Sequence, residues 1–213
     1  MRIAVLASGG GSNLQATLDY LATLGPQAPG EVVWVGASRS DAGALTRARA
    51  AGIPCGVVTD FDTGDTLLAD LAAAGAGMLV LAGYLKRIPP AVVRAFDGRM
   101  LNVHPALLPA FGGAGMYGER VHAAVIASGA RVSGVTVHFV NEEYDSGAIV
   151  AQWPVPVLEG DTPAVLGARV LRAEHALYPR CIAAVAAGTI TLGADGRAHG
   201  TPPELLPSLA LPT

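Results

Sequence analysis

The chain has 213 residues, of which 51% are hydrophobic and 15% are charged, and its formal net charge is −3. This balance supplies enough apolar side chains for a hydrophobic core and excludes an intrinsically disordered chain. The negative charge argues against general binding to nucleic-acid phosphates, and the length fits a single domain over residues 1–213.

The first hundred residues alternate between strand-like and helix-like segments. Continuous apolar runs predict strands, and apolar residues at helical spacing predict helices. In chain order these are strand 2–7, helix 14–24, strand 32–36, helix 42–51, helix 63–74, strand 78–82, helix 89–96 and strand 100–104. Asp41 is placed to cap the second helix. The alternation predicts an α/β fold with a mostly parallel, twisted sheet and helices on both faces.

The second half of the chain has a different pattern, because two predicted strands follow one another across a polar connection. This arrangement predicts antiparallel strands toward the C-terminal half. Thr162 is placed to cap the long helix near the end. In chain order the predicted segments are a glycine-rich loop at 109–118, helix 119–128, strands 134–140 and 149–157, helix 163–187, a last strand at 189–192 and a proline-rich tail at 201–213.

Several classes of protein and site are not expected. No stretch of about 18 apolar residues lacks charge, so no membrane span is predicted. Cys55 and Cys181 are too few for a disulfide framework and match no metal-ligand spacing, and no His-Glu-x-x-His motif is present. We therefore expect no metal and a reduced, cytoplasmic setting. Cys55 is expected to be buried, and His122 and His199 are expected at the surface.

The carboxyl ends of parallel strands are where ligands bind in such folds. Gly11, Ser12 and Asn13 follow the first predicted strand and open the first helix. Glycines allow a tight turn, and a helix N-terminus offers free N–H groups that suit a phosphate. The spacing leaves two interpretations open: a phosphate site, or an ordinary turn in which Ser12 or Asn13 caps the helix.

Asn102 and His104 stand near the end of another predicted strand. Alternation in a strand places them on one side and Val103 on the other. An amide and an imidazole side by side can stabilise a developing oxyanion and take part in acid–base steps. The alternative is that both side chains only satisfy loop backbone groups.

Two further segments carry polar side chains whose partners cannot be read from spacing. Asp145 lies in the polar turn between the two late strands, where it could pair with His104 and raise its pKa, or be a solvated turn acid. Lys86 and Arg87 follow the strand at 78–82 and could bind a carboxylate or phosphate, or be a solvated basic pair.

Taken together, these motifs resemble the folate-dependent phosphoribosylglycinamide formyltransferases, also called glycinamide ribonucleotide transformylases. The resemblance extends from residue 2 to about residue 203, and the order and spacing of the motifs make it specific. The matching stretches are IAVLASGGGSNLQ at 3–15, LAGYLK at 81–86, LNVHPALLP at 101–109, GVTVHFV at 134–140, DSG at 145–147 and EHALYP at 174–179.

The resemblance implies a Rossmann-like formyltransferase fold and direct transfer of a formyl group from 10-formyltetrahydrofolate, as co-substrate, to glycinamide ribonucleotide in purine synthesis. It implies a phosphate-binding half at 1–100, a catalytic and folate-binding half at 101–200 and a tail at 201–213. The binding partners would be small-molecule substrates, and the protein would be a monomer or a homodimer. The implied catalytic residues are Asn102, His104 and Asp145.

The resemblance also implies binding roles for two sets of residues. Phosphate and ribose would be held by Gly11, Ser12, Asn13 and Glu174. The folate would be flanked by Leu85, Lys86, Arg87, Ile88, Asn102, Tyr144 and Asp145. In the implied reaction, Asn102 and protonated His104 stabilise a tetrahedral oxyanion, and Asp145 holds His104 and a water that moves the proton.

The sequence departs from the family pattern at three places. Ala106 stands where many relatives have serine, and Lys86 stands where some have arginine, which has the paired N–H groups that grip a carboxylate. The segment at 110–118 is longer and richer in glycine than in some relatives, so we expect a mobile loop that closes over substrate.

Three other functions compete with this interpretation. A formyltetrahydrofolate hydrolase usually has an additional N-terminal regulatory domain, whereas the first strand here begins at Arg2. A methionyl-tRNA formyltransferase would need a C-terminal tRNA-binding domain and a basic surface. A non-catalytic nucleotide-binding module would use only the glycine turn.

Overall fold

A computed structural model describes residues 1–207, and the end of the predicted tail, 208–213, lies outside the described residues. Short 3₁₀ helices at Gly25–Gln27 and Pro203–Leu205 supplement the regular elements. The strands and helices are β1 Arg2–Ala7, α1 Ser12–Leu24, β2 Glu31–Ala37, α2 Gly43–Ala50, β3 Cys55–Val57, α3 Asp65–Ala73, β4 Met78–Leu81, α4 Pro90–Ala95, β5 Met100–His104, α5 Glu119–Ala127, β6 Val132–Phe139, β7 Ile149–Pro156, α6 Pro163–Ala186, β8 Thr191–Leu192 and β9 Ala198–His199.

Seven strands form one sheet in the order β3-β2-β1-β4-β5-β6-β7. The first five are parallel, β6 is antiparallel to β5, and β7 is antiparallel to β6. The predicted α/β class, the mostly parallel sheet and the antiparallel strands toward the C-terminal half are confirmed. This strand order brings the carboxyl ends of β1, β4 and β5 next to one another, which is where the candidate residues lie.

Helices cover both faces of the sheet. One hydrophobic core contains side chains of α1, α5 and α6, and a second core contains Leu67 and Leu71 of α3 and Val92 of α4. Leu67 and Leu71 stand one helical turn apart and therefore bury the same stripe. The hydroxyl of Tyr178, on α6, lies 3.0 Å from the carbonyls of both Leu81 and Leu101, and so ties α6 to the ends of β4 and β5.

Most predicted elements are present, with four differences. The Asp41 cap is wrong, because Ala42 occupies the N-cap position of α2 and the Asp41 carboxylate lies 3.1 Å from Arg39 instead. The strands β3 and β9 were not assigned, since each has only two or three residues. The expected last strand begins at Thr191 rather than 189, and it pairs with β9 in a separate hairpin.

Other expectations hold in detail. Thr162 caps α6, its hydroxyl accepting a hydrogen bond from the N–H of Val165 at 3.3 Å. Among residues 1–207, no helix combines the length and the apolar character needed to cross a lipid bilayer.

Candidate active site

A cleft of about 700 Å³ opens beyond the carboxyl ends of β1, β4 and β5. Its volume lies in the range typical of small-molecule sites. The candidate residues, which the sequence spreads over more than 160 positions, all line this cleft. They are Gly11, Ser12, Asn13, Leu85, Lys86, Arg87, Ile88, Asn102, His104, Tyr144, Asp145 and Glu174.

The glycine turn forms the start of α1 without a side-chain cap. Gly11 is the N-cap residue, with a φ of 74° in the left-handed region, and the first helical hydrogen bond runs from the N–H of Gln15 to its carbonyl. The carbonyls of the two preceding glycines accept from Ala44 N–H and from Arg47 Nε on α2. The first-turn N–H groups of α1 are therefore left for an anion, and the interpretation in which Ser12 or Asn13 caps the helix is wrong.

Asn13 and Glu174 form a buried pair at this end of the cleft. The amide Nδ2 of Asn13 donates to Oε2 of Glu174 at 2.7 Å, and Oδ1 of Asn13 has no partner among the described residues. Burial raises the pKa of Glu174, and the hydrogen bond from Asn13 lowers it by a smaller amount. The pair joins α6 to the start of α1 and leaves one carboxyl oxygen of Glu174 for a ligand.

Asn102 and His104 lie on β5 and both face the cleft, as alternation predicts. The amide Nδ2 of Asn102 lies 3.1 Å from Nε2 of His138, on the neighbouring strand β6. The other ring nitrogen of His138 donates to the carbonyl of Phe139 at 2.8 Å, so Nε2 must be the accepting nitrogen. This contact orients the amide of Asn102 and leaves its second N–H for a ligand.

His104 is 3% exposed and both of its ring nitrogens face oxygen atoms. Nε2 donates to the carbonyl of Phe111 at 2.8 Å, and Nδ1 lies 3.5 Å from Oδ2 of Asp145. The predicted pairing of Asp145 with His104 is therefore present. Asp145 raises the pKa of His104, as that interpretation holds, but burial lowers the pKa by more than Asp145 and the Phe111 carbonyl together raise it, so the net shift is downward.

Asp145 lies between two imidazoles. Its Oδ1 is 3.7 Å from Nε2 of His138, and its Oδ2 accepts a hydrogen bond from Gly113 N–H at 2.9 Å. Burial raises the pKa of Asp145, but the two histidines and the Gly113 N–H together lower it by a larger amount. The carboxyl is therefore ionised at neutral pH. Asp145 and Phe111 both have positive φ, 53° and 55°, and such strain is typical of functional sites.

The loop after β4 forms another wall of the cleft. Leu85 is 54% exposed and Tyr144, across the cleft mouth, is 51% exposed, so both present apolar surface to a ligand. The ammonium group of Lys86 lies 5.3 Å from the ring centre of Phe61. Ile88 differs from its neighbours, since its side chain packs into the second core.

Ser8 anchors that loop, a role that sequence reasoning missed. Its hydroxyl accepts hydrogen bonds from Leu85 N–H at 2.9 Å and from the Ser38 hydroxyl at 2.8 Å. Ser8 directly precedes the glycine turn, so one side chain connects the start of the phosphate end of the cleft with the Leu85 loop. Nothing local in the sequence could have indicated this, because the two partners come from the ends of β2 and β4.

Two further histidines line the cleft, and no role for either was predicted from the sequence. His138 is buried between Asn102 and Asp145, and strand alternation with Thr136 could have placed it on the inner side. His122 is 7% exposed and lines the cleft, so its expected surface position is wrong. The signal was available, since His122 stands three residues before the buried Val125 on α5. Cys55, expected to be buried, is only half-buried.

Within residues 1–207, no cluster of three or more histidine, cysteine or acidic side chains is arranged to hold a metal ion. The polar groups of the cleft include amides, imidazoles, carboxylates, hydroxyls, the cationic groups of Lys86 and Arg87, and backbone N–H groups. This set can bind an anion at one end, stabilise an oxyanion at the centre and move a proton between neighbouring groups.

Comparison with known proteins gives a family. The model of the formyl transferase family matches residues 1–182. The chain belongs to that family. The matched region runs from β1 through most of α6, and so includes every residue of the candidate site.

Individual relatives agree with the family assignment. A chloroplastic phosphoribosylglycinamide formyltransferase of Arabidopsis thaliana is 45% identical over 202 residues, which cover 92% of this chain and 68% of that protein. The phosphoribosylglycinamide formyltransferase of Escherichia coli is 37% identical, with 90% of each chain covered. The crystal structure of the enzyme of that name from Anaplasma phagocytophilum aligns with a TM-score of 0.86 at 32% identity, over 97% of both chains.

Proposed function

We propose that this formyl transferase family member transfers the formyl group of 10-formyltetrahydrofolate to the amine of glycinamide ribonucleotide, a step of purine biosynthesis. The observation that carries the proposal is the meeting of Asn102, His104 and Asp145 in one cleft with a glycine turn at its other end. The names of its relatives at 37–45% identity supply the acceptor, and the folate donor follows from the family resemblance.

The ribonucleotide phosphate binds at the glycine turn in this proposal. The first-turn N–H groups at Ser12 and Asn13 and the positive end of the α1 dipole favour an anion there. Glu174, held by Asn13, accepts hydrogen bonds from the ribose hydroxyls through its free oxygen. This arrangement directs the amine of the substrate toward Asn102 and His104.

The formyl carbon is attacked by the substrate amine, and a tetrahedral oxyanion forms. Asn102 donates its free N–H to that oxygen, and His104 donates from Nε2 once the Phe111 carbonyl releases it. Ionised Asp145 lies beside Nδ1 and favours a His104 ring that has taken up a proton from solvent, and this ring carries the positive charge that faces the oxyanion. The proton lost by the amine moves through an Asp145-held water to the folate nitrogen, whose bond to the formyl carbon then breaks.

The folate lies between the Leu85 loop and the Asp145 turn. Leu85 and Tyr144 supply apolar surface for a flat ring, and Lys86 and Arg87 supply positive charge for carboxylates of the co-substrate. The exchange of the Phe111 carbonyl for the oxyanion requires movement of the 110–118 loop. We therefore propose that this loop closes over bound substrate, and hydrogen exchange there that is equal with and without ligand would contradict closure.

An absorbance assay tests the function. Purified protein is mixed with 10-formyltetrahydrofolate, with and without glycinamide ribonucleotide, and release of the folate product is followed. Product release that requires the ribonucleotide supports the transferase. Release without it would instead indicate the hydrolase, and no release by folded protein would indicate a binding module.

Two variants test whether the formyl transfer takes place in this cleft. His104→Ala removes an oxyanion donor and is expected to lower kcat by about 10²–10³. His199→Ala, in the exposed β8–β9 hairpin, is the matched control and is expected to leave kcat unchanged. We also propose that the formyl acceptor is a small molecule rather than tRNA. The protein is proposed to act in the cytoplasm as a monomer or a homodimer.

A further inference from the structure

His122 is a buried polar side chain of the cleft that the proposed mechanism does not use. Its side chain is 93% withdrawn from solvent, since 7% remains exposed, yet it lines the cleft. Nδ1 has no hydrogen-bond partner among the described residues, and no protein hydrogen bond contributes to the pKa of the ring. A buried imidazole normally satisfies at least one nitrogen, so this one has capacity that the protein itself does not use.

The wall beside His122 is shaped to hold the ring. Gly167 lies inside α6, and a Cβ atom added there would lie 2.9 Å from Cδ2 and 3.1 Å from Nε2 of His122. Glycine inside a helix is about 1 kcal/mol less favourable than alanine. The close approach of the ring gives a physical reason for glycine at this position, and it places the Cδ2–Nε2 edge of His122 against the cleft face of α6.

That face of α6 also belongs to the ribonucleotide end of the cleft. Ala164, Gly167, Leu171 and Glu174 line the cleft at spacings of three and four residues, which is one helical stripe. Gly167 precedes Glu174 by two turns, about 10 Å along the axis. His122 approaches this stripe at Gly167 and lines the same cleft as His104. The cleft that His122 lines therefore includes both the Glu174 wall and the reacting centre.

We infer that His122 is a binding residue for the phosphorylated amine, and that it hydrogen-bonds a polar group between the phosphate and the reacting amine of that substrate. The inference rests on the proposed function for the identity of the ligand. A neutral imidazole offers one N–H and one lone pair, which matches hydroxyl and amide groups. We assign this contact to the ribonucleotide rather than to the folate, because Tyr84 and Ile88, which flank the Leu85 loop, pack in the second core, whereas Val121, next to His122, packs in the first.

The test compares two histidines that share an unpartnered buried nitrogen. His122→Phe keeps a flat ring and removes both nitrogens. His175→Phe is the matched control, because His175 also has a buried nitrogen without a partner but lies outside the cleft lining. We expect His122→Phe to raise KM for glycinamide ribonucleotide, and its dissociation constant by calorimetry, about tenfold, the factor that corresponds to loss of one hydrogen bond. The dissociation constant of a folate analogue should not change.

Two more variants distinguish a lost hydrogen bond to the ribonucleotide from a general disturbance of the structure. His122→Gln retains donor and acceptor groups and should recover part of the lost affinity. Gly167→Ala leaves His122 in place but crowds its ring, so affinity for the ribonucleotide should fall although helix propensity improves. Equal ribonucleotide affinity in His122→Phe, His175→Phe and the unsubstituted protein would overturn the inference, as would an equal loss of folate-analogue affinity.

The outcome can be separated from that of the proposed function. If the unsubstituted protein binds the ribonucleotide but shows no turnover, the proposed function fails and His122 is still judged by calorimetry. If it does not bind the ribonucleotide, both fail. If the unsubstituted protein and His122→Phe both transfer the formyl group normally and with the same KM for the ribonucleotide, only the inference about His122 fails.

Discussion

Oδ2 of Asp145 lies 3.5 Å from Nδ1 of His104 and accepts a hydrogen bond from Gly113 N–H at 2.9 Å. A single carboxyl oxygen thus contacts both the His104 ring and the glycine-rich loop. His104 in turn donates to the Phe111 carbonyl of that loop. The loop conformation and the electrostatics of His104 are therefore coupled through one side chain.

Asp145→Asn is expected to separate these two roles. An asparagine keeps an oxygen that can accept from Gly113 N–H, but it removes the negative charge beside His104 and the proton relay. We expect kcat to fall by about 10²-fold or more, as for loss of an acid–base group, while the folate-analogue affinity changes little. Glu159→Gln, which removes the same charge at an exposed position outside the cleft, is the control. A fall in kcat of the same size in both variants would contradict the local role.

Gly11→Ala is expected to disrupt the start of α1. Gly11 has a φ of 74°, and an added Cβ would lie 2.7 Å from Cα of Ala44, which is backbone and cannot rotate away. We expect a loss of about 1–3 kcal/mol in the free energy of unfolding, measured by denaturant titration, together with weaker ribonucleotide binding. Gly9→Ala has no atom within 4 Å of the new Cβ and serves as the stability control. Equal stabilities of the two variants would show that the turn relaxes freely.

Ser8→Ala is expected to loosen the Leu85 loop. The substitution removes the acceptor for Leu85 N–H, whereas Ser38→Ala removes only the neighbouring hydroxyl and leaves that bond. One hydrogen bond contributes about 1 kcal/mol, so we expect the dissociation constant of a folate analogue to rise about fivefold in Ser8→Ala. If Ser38→Ala weakens the folate analogue as much, the anchoring of Leu85 is not the cause.

The stability of the protein is expected to depend on pH through its buried histidines. Burial lowers the pKa values of His104, His122 and His175 from the ordinary value of 6.5. Below pH 6.5 the unfolded chain binds protons that the folded protein does not. The free energy of unfolding therefore keeps its full value above pH 6.5 and decreases as the pH is lowered below it.

Unfolding titrations between pH 7 and 5 measure this dependence. Each such group contributes a slope of at most about 1.4 kcal/mol per pH unit. His122→Phe removes one group and should make the decline shallower, whereas His199→Phe, at an exposed position, should not. A decline of unchanged slope in His122→Phe would show that the ring is protonated equally in both states.

The sequence by itself determined the regular elements and the local placement of Asn102 and His104. Apolar runs and helical spacing predicted the strands and helices, and alternation along β5 placed Asn102 and His104 on one side. These features follow from backbone geometry between near neighbours in the chain. The same rule, applied to α5, would have placed His122 on its buried side with Val125.

Only the tertiary structure decided which distant groups meet. Asp145 reaches His104 because β6 pairs antiparallel with β5 and β7 pairs antiparallel with β6, and Ser8 reaches Leu85 because β4 pairs with β1. The sign of the pKa shift of His104 was likewise undecided, since it depends on burial in competition with a neighbouring charge. Such contacts depend on strand order and loop closure over long separations, which local periodicity does not encode.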